Sequence, residues 1–114
     1  MPWCAEWTVQ FGTPMNDEAD AVALDVAGVY AVGSTAGAFK EQTSAGHNDA
    51  FVRSFDHDGV LGTTVQFGTA RRDEAYWAIV DGGVLAVVGM TTGAFEGQTR
   101  AGKSDGFLAR LDLT

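Results

Sequence analysis

The sequence predicts an all-β fold built from two copies of one four-stranded antiparallel unit, and three observations support this prediction. Residues 65–112 repeat residues 9–56 without a gap, and 22 of the 48 paired positions are identical. Short segments alternate apolar and polar residues, a pattern typical of strands with one buried face. Fifteen glycines and only two prolines suit many tight turns between such strands. A self-similar period of this length indicates that each copy folds as one structural unit.

The repeat is strongest at residues 65–69, which copy residues 9–13 letter for letter. Other identical pairs are Asp17, Glu18 and Ala19 with Asp73, Glu74 and Ala75, Gly37 and Phe39 with Gly93 and Phe95, Gln42 with Gln98, and Asp49 and Phe51 with Asp105 and Phe107. Residues that both copies share are expected to be structural, because each unit needs the same backbone geometry. Positions where the copies differ are better functional candidates.

Length and charge limit the possible functions. A chain of 114 residues with 46% hydrophobic residues can form one domain with a core. The net charge of -8 and the pI near 4.4 argue against nucleic acid and anionic membranes, since both partners attract basic surfaces. No apolar run approaches the roughly 20 residues that cross a bilayer. The single cysteine, Cys4, cannot form an internal disulfide or a cysteine-based metal site, and we expect a free thiol.

The first residues of the chain do not resemble a signal peptide. They contain neither a positively charged segment nor an apolar segment of the required length. Two interpretations of localisation stay open: the protein is cytoplasmic, or it is exported and its signal has been removed.

In chain order, the first expected strand covers residues 7–11. Residues 17–26 are ambiguous by themselves, because the Asn-Asp pair at their start could cap a helix. The equivalent segment of the second copy, residues 73–80, is rich in aromatic and β-branched residues, which favour a strand. Equivalent positions in a repeat should share a conformation, so both segments are predicted to be strands.

The remaining strands of the first copy are expected at residues 29–33, 50–55 and 61–67. A polar loop at residues 36–48 joins the second strand to the third. A tight turn at residues 56–59 follows, in which Gly59 supplies the positive φ that such turns need. The cycle begins again at Asp73 and stops at Leu113, one strand short of a second complete unit.

The order of these elements is a fourth strand, a complete unit of four, and then three strands of a second unit. The third strands are apolar on both sides, which indicates sheets covered on both faces. Sheets stacked in this way around an axis form a β-propeller. We therefore predict one structural unit over residues 1–114, with two four-stranded antiparallel blades per chain. The first repeat covers about residues 9–64, the second about residues 65–114, and an N-terminal strand at about residues 5–12 completes a blade.

The chain resembles the SBBP-type β-propeller repeat of bacterial proteins. The resemblance rests on residues 7–13, 17–19, 29–33 and 46–52 of the first copy and on residues 66–69, 73–75 and 102–107 of the second. The second copy departs from that pattern at two places. Thr63 takes the place of Trp7, and residues 81–84 replace the turn at residues 25–28. The resemblance implies a propeller blade fold with a binding or structural role, and it implies no reaction.

Two blades are too few to close a ring, because propellers usually contain about four to eight. We predict a homo-oligomeric ring, with a trimer favoured and a tetramer next. The N-terminal strand of one chain would complete a blade near the C-terminus of a neighbour through a head-to-tail contact. The alternative is that the chain is a fragment of a longer bacterial propeller protein.

Several residues that suggest chemistry have a structural interpretation. Asp17, Asp49, Asp73 and Asp105 are expected to accept hydrogen bonds from backbone amides of adjacent turns. The turn at residues 56–59 has two carboxylates like the start of a calcium loop, but the sequence lacks the later ligands. We therefore predict a hairpin turn there, and no metal ion or cofactor.

The candidate ligand site consists of positions that differ between the copies, together with the nearby Glu74, which the topology should bring to one rim of the blades. The candidate residues are Arg71, Arg72, Glu74, Tyr76, Trp77, Arg100 and Lys103. Aromatic platforms beside a few fixed polar groups suit sugars or small polar ligands. In the competing interpretation, the basic loops pair with Asp17, Glu18 or Glu41 of the adjacent blade, and Trp77 belongs to the core.

The sequence does not predict an enzyme. It contains no Ser-His-Asp pattern, phosphate-binding glycine loop or metal-spaced cluster. The leading interpretation is a non-enzymatic binding or assembly scaffold whose partners are further copies of the chain. The alternative is a lectin-like carbohydrate-binding propeller, with a glycan or another small polar ligand as partner.

Overall fold

The structure is a computed structural model that describes residues 5–114. The expected free thiol of Cys4 lies outside these residues. The strands are β1 (Asp17–Leu24), β2 (Val29–Thr35), β3 (Asp49–Phe55), β4 (Leu61–Phe67), β5 (Asp73–Asp81), β6 (Val84–Thr91) and β7 (Asp105–Asp112). The all-β prediction is confirmed, and the helix considered for residues 17–26 is wrong. Within residues 5–114 there is no helix that could span a membrane.

The strands form two antiparallel sheets with the orders β1-β2-β3-β4 and β5-β6-β7. Their registers repeat along with the sequence: Asp17 pairs with Thr35 in the first sheet, and Asp73 pairs with Thr91 in the second. Both pairings shift register at the same point, and both sheets have a glycine there, Gly33 or Gly89. A β-carbon at either glycine would collide with the carbonyl group of the facing strand, so the bulge requires glycine in each copy.

Residues 5–12, the segment predicted to complete a blade of a neighbouring copy, do not form a strand within the single chain. Residues 5–16 belong to no strand, and the second sheet has three strands, as expected for a unit that stops one strand short. A strand requires a neighbour that accepts its backbone hydrogen bonds. The predicted neighbour of this segment is the edge of β7 in another chain, and the described chain consists of two open sheets.

The N-terminal segment packs against the first sheet. The indole Nε1 of Trp7 donates a 2.9 Å hydrogen bond to the carbonyl oxygen of His57 in the β3–β4 turn. The ring of Phe11 lies edge-on to that of Phe51, with their centroids 5.8 Å apart. The segment is therefore anchored at both ends, although it joins no ladder.

The two sheets bury one shared core between them. Its buried members are Tyr30, Val32, Ala50 and Val52 of the first sheet and Ala75, Ala78, Leu85 and Val87 of the second. Because side chains alternate along a strand, each sheet also has a second face that points away from this core. The first sheet covers much of its second face with the rings of Phe11 and Phe39.

The structural roles predicted for the repeated aspartates are confirmed. Each accepts a 2.7 Å hydrogen bond from a backbone N–H four residues earlier: Thr13 to Asp17, Ala45 to Asp49, Thr69 to Asp73 and Ala101 to Asp105. The turn at residues 56–59 is a hairpin turn, in which Asp56 Oδ1 accepts hydrogen bonds from the N–H groups of Asp58 and Val60. Gly59 has the predicted positive φ, 84°.

Candidate functional site

Two of the candidate residues, Arg71 and Arg72, lie in the connection from β4 to β5. The backbone N–H of Asp73 donates a 2.8 Å hydrogen bond to the carbonyl oxygen of Asn48. Gly46 packs against the carbonyl group of Ala70, and Gly93 lies beside Arg71. The connection from β4 to β5 therefore contacts the polar loops of both sheets.

Three candidate residues form one polar network along β5. Arg72 donates from Nη2 to Glu74 Oε1 at 3.1 Å, and the Tyr76 hydroxyl donates to Glu74 Oε2 at 2.7 Å. The Glu74 side chain is nearly buried, so both of its oxygens are held in fixed positions. The hydrogen bond to Glu74 raises the pKa of Tyr76, and desolvation and the charge of Glu74 raise it further. Arg72, which immediately precedes β5, thus pairs with Glu74 of that strand and not with the acidic residues of the first sheet named in the competing interpretation.

The inner strands bring acidic groups together. β1 and β5 are neighbours across the sheet-to-sheet contact. Desolvation raises the pKa of Asp20, and so do the nearby charges of Glu18 and Glu74. Asp20 occupies in the first copy the position of Tyr76 in the second, so the repeat places an acid opposite the polar network.

The other candidate cations lie apart from this network. The Arg100 Nε atom donates a 2.7 Å hydrogen bond to the carbonyl oxygen of Gly102, within the loop between β6 and β7. Lys103 is exposed in the same loop. Among residues 5–114, no hydrogen bond or ion pair connects these two cations to Glu74.

Trp77 is not a core residue of the single chain, because 64% of its surface is exposed. It stands in a row across the second sheet, paired with Val88, which is paired in turn with Leu108. Val88 is 43% exposed and Leu108 is 74% exposed. Together with Ile79 on the same strand, these residues form what we call the open face.

The open face has a buried counterpart in the first sheet. The equivalent row there is Ala21, Val32, Val52 and Val65, joined by the β1–β2, β2–β3 and β3–β4 pairings. Val32 and Val52 have no exposed surface, because the second sheet covers them. The same positions are thus core in one sheet and surface in the other.

The second sheet also has an open edge, because β7 has a paired neighbour, β6, on one side only. A cavity of about 450 Å³ lies beside this edge and is lined by Phe95, Gln98, Asp105 and Phe107 among others. The sequence indicated the missing fourth strand, but it did not indicate the cavity. The identity of Gly93, Phe95, Gln98 and Asp105 with residues of the first copy was the available signal, but the sequence does not show that these residues contact one another.

The described residues offer no group of three or more His, Cys, Asp or Glu side chains arranged to hold a metal ion. A comparison with models of known protein families finds no match to this chain. A comparison with curated protein sequences finds no match either.

Proposed function

We propose that this chain is a non-enzymatic β-propeller module whose function is to build a ring-shaped scaffold from copies of itself. Two antiparallel sheets packed face to face support the proposal, as does the resemblance to SBBP-type repeats. The trimer, with six blades, is favoured, and the tetramer, with eight, comes next. A head-to-tail contact of this kind repeats by rotation until the ring closes.

The observation that carries the proposal is the open face. Trp77, Ile79 and Leu108 are each more than 60% exposed, and monomeric proteins rarely leave such a continuous apolar surface uncovered. In the first sheet, the same positions are covered by a sheet of this chain. A further sheet of the same kind is therefore the occupant that fits.

The opposite half of that contact is present on the first sheet. Val22 is 61% exposed and Leu24 is 66% exposed, on the side of β1 that faces away from the second sheet. Their repeat partner positions are Ala78 and Val80, which pack into the core between the sheets. One chain thus presents both surfaces of the sheet-to-sheet contact, at opposite ends.

The test is the native mass of the full chain, measured by light scattering after size-exclusion chromatography over a hundredfold range of concentration. A trimer of the 12.0 kDa chain gives about 36 kDa, and a tetramer gives about 48 kDa. A mass of one chain at every concentration would contradict self-assembly. That result would instead favour the alternative in which the next blade belongs to the same, longer polypeptide.

A second candidate function is carbohydrate binding. It is favoured by the exposed indole of Trp77 next to Tyr76, whose hydroxyl donates to Glu74, a carboxylate that also pairs with Arg72. An aromatic surface beside fixed hydrogen-bonding groups suits the apolar face and hydroxyls of a sugar. A glycan array on the wild-type chain, with Trp77→Ala as control, tests it. No binding, together with an unchanged melting temperature in sugar mixtures, would exclude this function.

A further inference from the structure

We propose that the cavity beside β7 binds the side chain of Gln10 from a second copy of this chain. In the same contact, residues 5–11 of that copy pair with β7 in one fixed register. The inference rests on the self-assembly proposed above, and it adds the residue that fits the site and the alignment of the two strands.

The first sheet shows the filled form of this site. Gln66 on β4 donates from Nε2 to the carbonyl oxygen of Gly37 at 2.8 Å and to Asp49 Oδ2 at 2.9 Å. Its Oε1 accepts a 3.1 Å hydrogen bond from the N–H of Phe39. Its own N–H donates to Gln42 Oε1 at 2.9 Å. Gln66 therefore makes four hydrogen bonds, three to the loop between β2 and β3 and one to Asp49 at the start of β3.

The cavity of the second sheet is lined by the repeat partners of these four residues: Gly93, Phe95, Gln98 and Asp105. They are already arranged as in the first sheet. Gln98 N–H donates to Phe95 O at 2.9 Å, as Gln42 does to Phe39. Asp105 Oδ2 is oriented by a 2.7 Å bond from Ala101 N–H, as Asp49 is by Ala45. The second sheet therefore holds a preformed glutamine site.

Gln10 is the repeat partner of Gln66, and the segment around it is already placed as β4 is. The rings of Phe11 and Phe51 lie 5.8 Å apart at 90°, and those of Phe67 and Phe107 lie 5.9 Å apart at 87°. Residues 9–13 thus stand against the first sheet as residues 65–69 stand against the second. Within the described chain, no other backbone group bonds the peptide groups of residues 8–12.

The β3–β4 ladder fixes the expected register. It pairs Ala50 with Phe67, Phe51 with Gln66, Val52 with Val65 and Arg53 with Thr64. The repeat offset converts these pairs into Gly106 with Phe11, Phe107 with Gln10, Leu108 with Val9 and Ala109 with Thr8 of the second copy. Val9 then adds a fourth member to the row of Trp77, Val88 and Leu108.

One contact of the first sheet has no equivalent at this junction. Arg53 Nε donates a 3.0 Å hydrogen bond to Thr64 Oγ1 across β3 and β4. The second sheet has Ala109 at the arginine position, so Thr8 gains no such partner. The junction between copies therefore depends more on the glutamine than the β3–β4 pair does.

A second copy must supply the segment, because the chain's own segment lies on the wrong side. Phe11 packs against Phe51 and Phe55, on the face of the first sheet that points away from the second. Val52, on the other face, is in the core that the two sheets share. The segment cannot reach the edge of β7 in its own chain while it keeps the contacts of Phe11.

The first test compares Gln10→Ala with Thr8→Ala, a change in the same segment whose side chain does not enter the cavity. Dissociation of the assembly is followed by dilution, with urea added if the wild-type ring stays intact. Gln10→Ala should weaken each junction about tenfold to a hundredfold, because three side-chain hydrogen bonds are lost and Asp105 loses a partner. Thr8→Ala should change the stability of each junction by less than about twofold. Equal dissociation of wild type and Gln10→Ala would overturn the proposal.

The second test fixes the register by disulfide formation in the full chain with Cys4→Ser. Val9→Cys combined with Leu108→Cys places two thiols at directly opposed positions, where cross-strand Cα distances permit a disulfide. Oxidation should give covalently linked chains on a non-reducing gel. Val9→Cys with Ala109→Cys puts the thiols on opposite faces and should give none. Linkage in the second variant and not in the first would overturn the register.

The two levels of the proposal fail in different ways. A wild-type chain that is monomeric at all concentrations, with no disulfide in either variant, contradicts self-assembly itself. If the assembly is stable and Gln10→Ala does not weaken it, or if disulfides form in another register, self-assembly is supported and the glutamine site is contradicted.

Discussion

In the first sheet, Phe51 and Asp49 have no exposed surface, whereas their repeat partners Phe107 and Asp105 in the second sheet are only half-buried. The residue types are the same, and so are their places in the strands. The difference lies in the neighbours: β4 pairs with β3 in the first sheet, where Gln66 contacts Asp49, whereas β7 has no paired strand on its outer side. Burial in this molecule is therefore decided by the unit that stands next to a residue.

The amino-acid differences between the copies also indicate that a further sheet covers the open face. Ala21 and Ala23, beside the shared core, become the larger Trp77 and Ile79 on the open face. A face that stayed in water would gain nothing from larger apolar side chains. These exchanges are expected if the next sheet to pack there leaves more space than the one within the chain.

The two sheets should differ most in the free energy of unfolding when the equivalent residues Val52 and Leu108 are each changed to aspartate. Val52→Asp places an unpaired carboxylate in the core and should cost more than about 4 kcal/mol, which unfolds the chain. Leu108→Asp is at an exposed position and should cost the monomer less than about 1 kcal/mol. Circular dichroism during urea unfolding measures both costs.

Leu108→Asp should also reduce the native mass to that of one chain, since the charge would lie in the sheet-to-sheet contact. Leu108→Val, which keeps the face apolar, is the matched control and should assemble. A Leu108→Asp chain that assembles like wild type would show that the open face is not a contact surface.

A smaller difference is expected between two equivalent phenylalanines. Phe67→Ala removes a ring that packs on Phe95 and Phe107 from a strand inside a ladder, and should cost about 2–4 kcal/mol. Phe11→Ala should cost about 1–2 kcal/mol in the isolated chain, because a segment outside any ladder relaxes around the gap. Urea unfolding at low and high protein concentration should show the two costs converge as the ring forms. A Phe11→Ala cost that equals that of Phe67→Ala in the monomer would show that the segment needs no second copy.

The smallest effect is expected at Asp20 of β1, which lies near Glu18 and Glu74. The pKa of Asp20 is raised by desolvation and by Glu18 and Glu74, so at neutral pH its ionised form opposes folding. Asp20→Asn should stabilise the chain at pH 7 by roughly 0.2–0.5 kcal/mol, a small gain because the side chain is largely exposed. The gain should shrink as the pH falls and vanish below about 3.9, where the group is protonated in both states. Melting temperatures across this range measure it, and a gain that grows in acid would contradict the assignment.

Much of the fold could be predicted from the sequence because each segment could be compared with the equivalent segment of the other copy. Residues 17–26 alone suit a helix or a strand. The equivalent residues 73–80 of the second copy favour a strand, and both segments are strands in the structure. The turn at Gly59 and the four repeated aspartates were also predictable, because each depends on a local backbone requirement. The pairing of residues 5–12 stays a prediction, because it depends on an edge that the chain itself does not place beside this segment.

The candidate site was predicted less well. Charge and aromatic content identified Arg72, Glu74 and Tyr76, which meet in one network, but also Arg100 and Lys103, which lie in another loop. Sequence spacing gives no distance between loops that come from different strands. The cavity beside β7 was missed for the same reason, since it is lined by parts of the chain that only folding brings together.

The sequence by itself determined the seven strands, their turns and their division into a unit of four and a unit of three, because these follow from alternation, glycine positions and an offset of identical residues. Only the tertiary structure decided that Trp77 and Leu108 are exposed, that Phe11 packs on the outward side of the first sheet, and that a cavity lies beside β7. Such properties depend on which side of a sheet the neighbouring unit covers, and that is set by the packing of whole sheets.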